Sequence, residues 1–352
     1  MVIFVGPKLR PITGQSLSFD TAFKSYDSRK KSLVYGGKNS LLKIVNIIYI
    51  YFLYIFYLLF YDVNKLYITT NRSRFGFLKD FAFIITASIF NVKVVNHLHG
   101  ADFKSFRKNS GPNFKKIIDY LYSKIDISIV LLPNMKEQYD MYPNMEIRTV
   151  PNCCITSKLD SFSHKNISGP LEILYLSNVM YSKGIIYLIE AVDRMINSGI
   201  DVTLSVAGNF MADEFLEEEQ IKNKFLKLIE GKSYINYYGP VYGEEKNKLL
   251  VKSNVFVLPT FYQTEAQPIS IIEAMYAGCT IITTNHNYLP DMVSSDNGFV
   301  VPIMSSMSIF DKLKHIHFNR DILTVCGGFN EKEVEAYYGF SVFSDRINDI
   351  LH

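Results

Sequence analysis

Short apolar runs alternate with longer stretches of helical spacing along the whole chain, and this alternation limits the fold more than any other feature. In the first half the runs are Val2–Val5, Leu33–Tyr35, Leu66–Thr69, Val92–His97, Ile127–Leu131 and Arg148–Val150. In the second half they are Ile173–Leu176, Val202–Ala207, Ile235–Tyr238, Val255–Leu258, Thr280–Thr283 and Phe299–Val300. Runs of this kind, rich in Val and Ile and bounded by Gly, Pro or Asn, are strands covered on both faces, as in parallel sheets with crossover helices. Two such series predict an α/β protein with two doubly wound domains. The break falls between Pro151-Asn152 and Gly169-Pro170, where Ser, Lys, Asn, His and Gly dominate. The expected domains are residues 1–165 and 166–352. A chain of 352 residues is long enough for two domains, and its 48% hydrophobic and 20% charged content excludes disorder.

Charge is unevenly divided. Residues 1–165 carry a formal net charge of +12 and the remainder −9. A basic half joined to an acidic half implies that the first domain meets something anionic: a membrane surface, a phosphate-bearing substrate or nucleic acid. No nucleic-acid motif is present, so that partner is set aside. The four cysteines, Cys153, Cys154, Cys279 and Cys326, form no disulfide framework and no zinc pattern, which points to a reducing, cytoplasmic setting. The opening residues Met1–Pro7 lack a basic region before the apolar run and read as a first strand, not a signal peptide.

Ile44–Tyr61 is eighteen residues with Asn46 as its one polar amide. Its length meets the lower limit for a membrane span. However, Tyr49, Tyr51, Tyr54, Tyr57 and Tyr61 would place hydroxyls through the hydrocarbon, and the segment lies between two strands. It is expected to be a buried crossover helix; a helix against the membrane surface and a true span are the alternatives.

The densest chemistry lies in Phe261–Gly278, directly after the strand Val255–Leu258. Glu265 falls in the loop at the strand's C-terminal end, where ligands of open α/β sheets bind. A helix opens near Pro268 and stops before Gly278, which sets Glu273 two turns in. Two carboxylates around one crevice can do acid–base work or accept hydrogen bonds from sugar hydroxyls.

The block resembles the Glu-x7-Glu signature of retaining glycosyltransferases of the GT-B fold, family 4. Val257-Leu258-Pro259-Thr260, Glu273-Ala274-Met275-Tyr276-Ala277-Gly278, Ile281–Asn285 and Asp296–Val301 extend the likeness. The resemblance implies two facing Rossmann-like domains with an interdomain cleft. Glu265 would contact the donor hexose and Glu273 the ribose hydroxyls. The backbone N–H groups of Ile269 and Ser270 would receive the diphosphate, with Ala266 and Pro268 among the donor contacts. Such a helix start suits an anion.

Leu174–Gly184 resembles the family's strand followed by Lys-Gly, which makes Lys183 the cation beside the leaving diphosphate. The family has an Arg about five residues earlier, and here Asn178 stands in its place. A neutral amide weakens the electrostatic case, so Lys183 or a first-domain cation must carry more of it.

In the first domain, Gly6–Ser16 resembles the glycine-containing loop that faces donor phosphates and acceptor. Gly14 there allows close backbone approach, Gln15 lies beside it, and Pro7 and Pro11 stiffen the loop. Val94–Phe103 resembles the family's His-Gly-x-Asp segment. By that likeness His99 faces the donor sugar, His97 is structural, and Asp102 orients His99 or binds acceptor. Lys104, Arg107, Lys108, Lys115 and Lys116, with Arg72, Arg74 and Lys79, are read as a cationic face for lipid phosphates, with Arg107 a weak acceptor contact.

The expected activity is hexosyl transfer from a UDP- or GDP-sugar with retention, by front-face departure of the diphosphate. The expected acceptor is a glycan, lipid-linked, at the inner face of the cytoplasmic membrane, as in bacterial polysaccharide or O-antigen assembly. No cofactor or metal is expected, since no Asp-x-Asp motif follows a strand. The alternatives on the same fold are a sugar-nucleotide epimerase, a glycosyl phosphorylase, or a catalytically weak sugar-nucleotide-binding module. In relatives the final helix packs back on the first domain, and about 331–352 is assigned that task.

Overall fold

The computed structural model describes residues 1–10, 13–37, 40–154, 165 and 167–352. It divides into two compact units, Met1–Cys153 with Phe340–His352, and Cys154–Gly339.

The first unit holds β1 (Val2–Pro7), β2 (Lys30–Tyr35), β3 (Lys65–Ile68), β4 (Lys93–His97), β5 (Ile127–Val130) and β6 (Glu146–Thr149). They form one sheet in the order β2-β1-β3-β4-β5-β6, and every pairing is parallel. The crossovers are α1 (Gly14–Ser25), α2 (Ser40–Phe60), α3 (Arg74–Ile89), α4 (Phe103–Lys108) and α5 (Pro112–Tyr122). In the second unit β7 (Leu171–Leu176), β8 (Val202–Ala207), β9 (Ile235–Tyr237), β10 (Val255–Leu258), β11 (Thr280–Thr284) and β12 (Gly298–Val301) pair in parallel as β12-β11-β10-β7-β8-β9. Its helices are α6 (Ile185–Asn197), α7 (Glu218–Ile229), α8 (Gly243–Lys252), α9 (Ile269–Tyr276), α10 (Ser306–Phe318) and α11 (Asp321–Glu333). The chain ends in α12 (Phe340–Leu351).

The strands lie where the apolar runs predict them. Those at the centre of the second sheet are buried throughout: every residue of β10 and β11 is inaccessible to solvent. Such strands cannot show alternation, because both faces meet helices.

α12 closes the first unit. Phe343, Ile347, Ile350 and Leu351 join Val2, Phe4, Phe19, Tyr26 and Tyr67 in one core cluster. Asn348 Nδ2 donates to the carbonyl of Ser25 at 3.0 Å, and Lys65 Nζ to that of Ile350 at 2.9 Å. α1 starts at a reciprocal cap: Ser16 N donates to Thr13 Oγ1 at 3.1 Å and Thr13 N to Ser16 Oγ at 2.8 Å.

α2 is the expected crossover between β2 and β3, but it is not buried. Among its described side chains, Ile50, Tyr54 and Leu58 are the buried ones, flanked by half-buried neighbours such as Asn46 and Tyr51. Leu41, Val45, Ile48, Phe52, Phe56 and Leu59 lie exposed at helical spacing along its length. Asn46, the polar interruption, accepts from Gly36 N at 3.0 Å, and Tyr51 shares a hydrogen bond with Thr86 at 2.8 Å, so both pin the helix to the unit.

Candidate active site

In the second sheet the chain runs outward from β7 through β8 to β9, then returns to place β10 on the other side of β7. The loops after β7 and β10 leave neighbouring strands at the C-terminal edge of the sheet, where ligands of open α/β sheets bind. Lys183 and Glu265 come from these two loops.

The loops interlock. Phe261 N donates to the carbonyl of Ser182 at 2.7 Å. Gly184 has φ +78°, and a Cβ there would lie 2.0 Å from the carbonyl oxygen of Pro259, so only glycine permits this approach. Asn287 Nδ2 holds the 261–267 turn from β11's side, donating to the carbonyls of Glu265 at 2.8 Å and Gln263 at 3.0 Å. The Lys183 ammonium consequently meets Glu265 Oε2 as an ion pair, both side chains largely buried. Thr260 Oγ1 donates to the same carboxylate oxygen at 3.2 Å, and the ammonium stands 5.0 Å from the centre of the Tyr262 ring.

α9 begins beside this pair. Its first residues, Ile269 and Ser270, are half-buried, and no side chain caps the helix start. The N–H groups of a first turn have no partner within the helix, so an uncapped start attracts an anion. Ala266 and Pro268 are buried and form the wall leading into the helix. Glu273 is buried one face further along, and its Oε1 receives the ammonium of Lys246 at 2.5 Å. Asn178 follows β7 half-buried; its carbonyl accepts from Tyr175 OH at 2.8 Å. Burial pushes the Tyr175 phenol well above its usual range, so it remains a donor.

In the first unit His97 ends β4 and is fully buried, with Nδ1 2.5 Å from the hydroxyl of Tyr67. The His99 ring lies 4.1 Å from that of His97, centre to centre. Burial drives the His97 pKa down to about 3. Burial also holds His99 well below the usual imidazole range, helped by His97 and the Arg72 guanidinium. Both rings are neutral near pH 7. Asp102 forms an ion pair with Arg72. Gly100 makes room for that pair, since a Cβ would meet Arg72 Nη2 at 2.3 Å.

Several expectations are redirected here. Arg107 is engaged by Asp119 through two bonds, Nε–Oδ1 at 2.5 Å and Nη2–Oδ2 at 2.8 Å, and Tyr142 also donates to that carboxylate. Lys79 lies 3.1 Å from the centre of the Tyr35 ring and pairs with Asp80, and Lys104 lies 3.6 Å from Asp140. With Arg72 paired as well, the proposed cationic face loses four of its eight members to local partners. Gly14 opens α1 with free space around it and Gln15 follows half-buried. The glycine that packing requires is Gly6, where a Cβ would strike the Phe19 ring. Pro11 lies outside the described residues.

Sequence reasoning missed Lys246, Thr260, Tyr262 and Asn287. Lys246 sits in Gly243-Glu-Glu-Lys-Asn-Lys, which reads as an ordinary solvated helix face. The others lie in or near the Glu265 block, but only the folded turn shows what they hold. Among the described residues no cluster of His, Cys, Asp or Glu could hold a metal ion.

Residues 157–329 match the family model for glycosyl transferases group 1. Over 148 residues the chain is 26% identical to a glycogen synthase of Mycobacterium tuberculosis, covering 42% of this chain and 34% of that one. It is 24% identical over 202 residues to the capsular polysaccharide biosynthesis glycosyltransferase CapM of Staphylococcus aureus, covering 56% and 50%. The chain thus spans between a third and a half of the length of these curated relatives. Its fold matches that of Anabaena HepE, crystallised in complex with UDP, with a TM-score of 0.77 at 12% identity over 99% of both chains.

Proposed function

We propose, for a chain whose residues 157–329 match the family model for glycosyl transferases group 1 and whose two sheets make a GT-B fold, that it transfers a hexose from a nucleotide diphosphate sugar to a glycan acceptor. The reading extends to UDP- or GDP-sugar as donor, to retention at the anomeric carbon as in family 4, and to a lipid-linked acceptor in bacterial surface polysaccharide or O-antigen assembly. The observation that carries it is the Lys183–Glu265 pair at the point where the second sheet reverses direction, beside the uncapped start of α9.

The chemistry follows from the charges. The bond from the anomeric carbon to the diphosphate oxygen breaks, and the acceptor hydroxyl forms the new bond on the same face. Its proton passes to the departing phosphate oxygen. Negative charge grows on the diphosphate as it leaves. Lys183 and the N–H groups of Ile269 and Ser270 answer it from fixed positions, which is where electrostatic catalysis gains most. Glu265, once released from Lys183 by the incoming phosphate, accepts hydrogen bonds from sugar hydroxyls, and Glu273 from a ribose. Neutral His99 serves as a hydrogen-bonding group and not as a charge. The mechanism requires neither a protein nucleophile nor a metal.

HepE, crystallised with UDP, supports the donor class, and CapM supports the polysaccharide setting. Asn178 favours a second reading, a weak sugar-nucleotide-binding module, because it supplies no charge to the diphosphate. A melting-temperature screen of nucleotide sugars tests the donor, since a ligand of the folded form raises the transition. Incubating the stabilising sugar with lipid-linked and soluble acceptors then tests transfer. Binding without transfer, or recovery of an epimerised or phosphorolysed sugar, would reject the proposal.

A further inference from the structure

A cavity of about 610 Å3 opens at the C-terminal ends of β1 and β2, lined by residues of the first unit. Lys8, Arg10 and Lys43 line it, with Thr13 and Tyr35 as hydroxyl donors and Ile47 of α2 as an apolar wall. Among the described residues none of the three cations has an acidic partner. The sequence has no Asp or Glu before Asp20, and none between Asp27 and Asp62. Three unpaired cations around a concave site with hydroxyl donors fit a phosphate.

The cavity borders the exposed stripe of α2. That stripe, Leu41, Val45, Ile48, Phe52, Phe56 and Leu59, runs the length of the helix and faces outward. Lys43 stands near one end. At the other, the Arg29 guanidinium lies 5.3 Å from the centre of the Tyr61 ring and Lys31 6.0 Å from that of Tyr57. Cations and tyrosines flanking an apolar stripe are the composition of a helix lying in the headgroup region of an anionic bilayer. A span across the bilayer would require stripping Ile50, Tyr54 and Leu58 from the core and breaking the Asn46–Gly36 and Tyr51–Thr86 bonds.

We propose that α2 lies in the plane of an anionic membrane and that the Lys8/Arg10/Lys43 cavity takes the phosphate of a lipid-borne substrate from that membrane. This deepens the lipid-linked acceptor reading and rests on it. The lipid's chains share the apolar layer that receives α2, and its headgroup reaches the cavity past Ile47.

The test uses the full chain and vesicles of phosphatidylcholine with or without phosphatidic acid, a lipid bearing a phosphate monoester. The wild type should sediment with the phosphatidic acid vesicles, less so as salt is raised. Lys8→Gln with Lys43→Gln should weaken this roughly 20-fold, and Phe52→Ser with Phe56→Ser should abolish it. Because the chain contains no tryptophan, Phe56→Trp supplies a single fluorophore, which brominated phosphatidylcholine should quench if the stripe enters the bilayer. Unchanged binding by either double variant, or an unquenched tryptophan, would overturn the proposal. So would displacement by inorganic phosphate alone, which would mark a free-anion site, or self-association lost on substituting the stripe, which would mark a protein interface. Nucleotide-sugar melting shifts on the same samples separate the two readings: shifts without vesicle binding reject this inference alone, and no shifts reject the donor reading.

Discussion

Lys183 and Glu265 hold each other in place before any substrate arrives. Replacing one partner leaves the other as an uncompensated, largely buried charge, so Lys183→Met is expected to cost on the order of 3 kcal/mol of stability. Lys183→Met combined with Glu265→Gln should recover much of that loss, because the charges vanish together. Turnover should not recover with it: each single variant should lose roughly 100-fold in kcat, and the double variant at least as much. Denaturant melts beside initial rates would show the split, and recovered turnover in the double variant would remove the pair from the mechanism. Gly184→Ala is a harsher change, since the αL backbone alone costs about 1–3 kcal/mol and the Cβ strikes Pro259. The histidines give the first unit a pH dependence. In the unfolded chain an imidazole takes up a proton below about pH 6.5, whereas His97 in the fold resists until about 3 and His99 is likewise held neutral. Their contribution is therefore intact above about pH 6.5 and is lost as pH falls. The expected slope is up to about 1.4 kcal/mol per pH unit for each ring. His97→Gln should flatten the acid limb of a pH–stability profile, and an unchanged limb would show that other groups dominate.

Among the elements, α2 gives the sharpest contrast between its two faces. Substituting Phe52 or Leu59 by serine should move the melting free energy by no more than about 0.5 kcal/mol, because both are already in water. Tyr54→Ala, on the opposite face, should cost about 3–5 kcal/mol. Comparable losses on both faces would mean that α2 is covered in solution. This helix also marks where sequence reasoning stopped short. The strands were legible because interior parallel strands are apolar on both faces, and the Glu265 block because several short segments agreed at once. An all-apolar helix does not reveal which of its faces meets protein, so the burial expected for 44–61 failed on one side. The Lys8, Arg10 and Lys43 cavity was illegible for another reason: Lys8 and Arg10 follow β1 while Lys43 lies in the first turn of α2, and they meet only when β1 and β2 pair. Lys246 was masked by its neighbours, since a Glu- and Lys-rich helix gives no sign that one lysine turns inward to Glu273.

For the molecule as a whole, α12 carries the stability of the unit that contains residue 1. Ile347→Ala is expected to cost about 2–5 kcal/mol, and removal of residues 340–352 should expose the core of the first unit while the second keeps its own. Limited proteolysis of the shortened chain would show this as rapid loss of fragments from 1–153 and survival of those from 167–339. Equal resistance of both halves would disprove it. The position of α12 also affects biosynthesis. During translation the segment that completes the first unit leaves the ribosome only after the entire second unit has been made. Phe4, Phe19 and Tyr26 meet one another and Tyr67 early, but the part of their cover that α12 supplies lies hundreds of codons downstream, so the half made first is the half finished last and the one most in need of a chaperone.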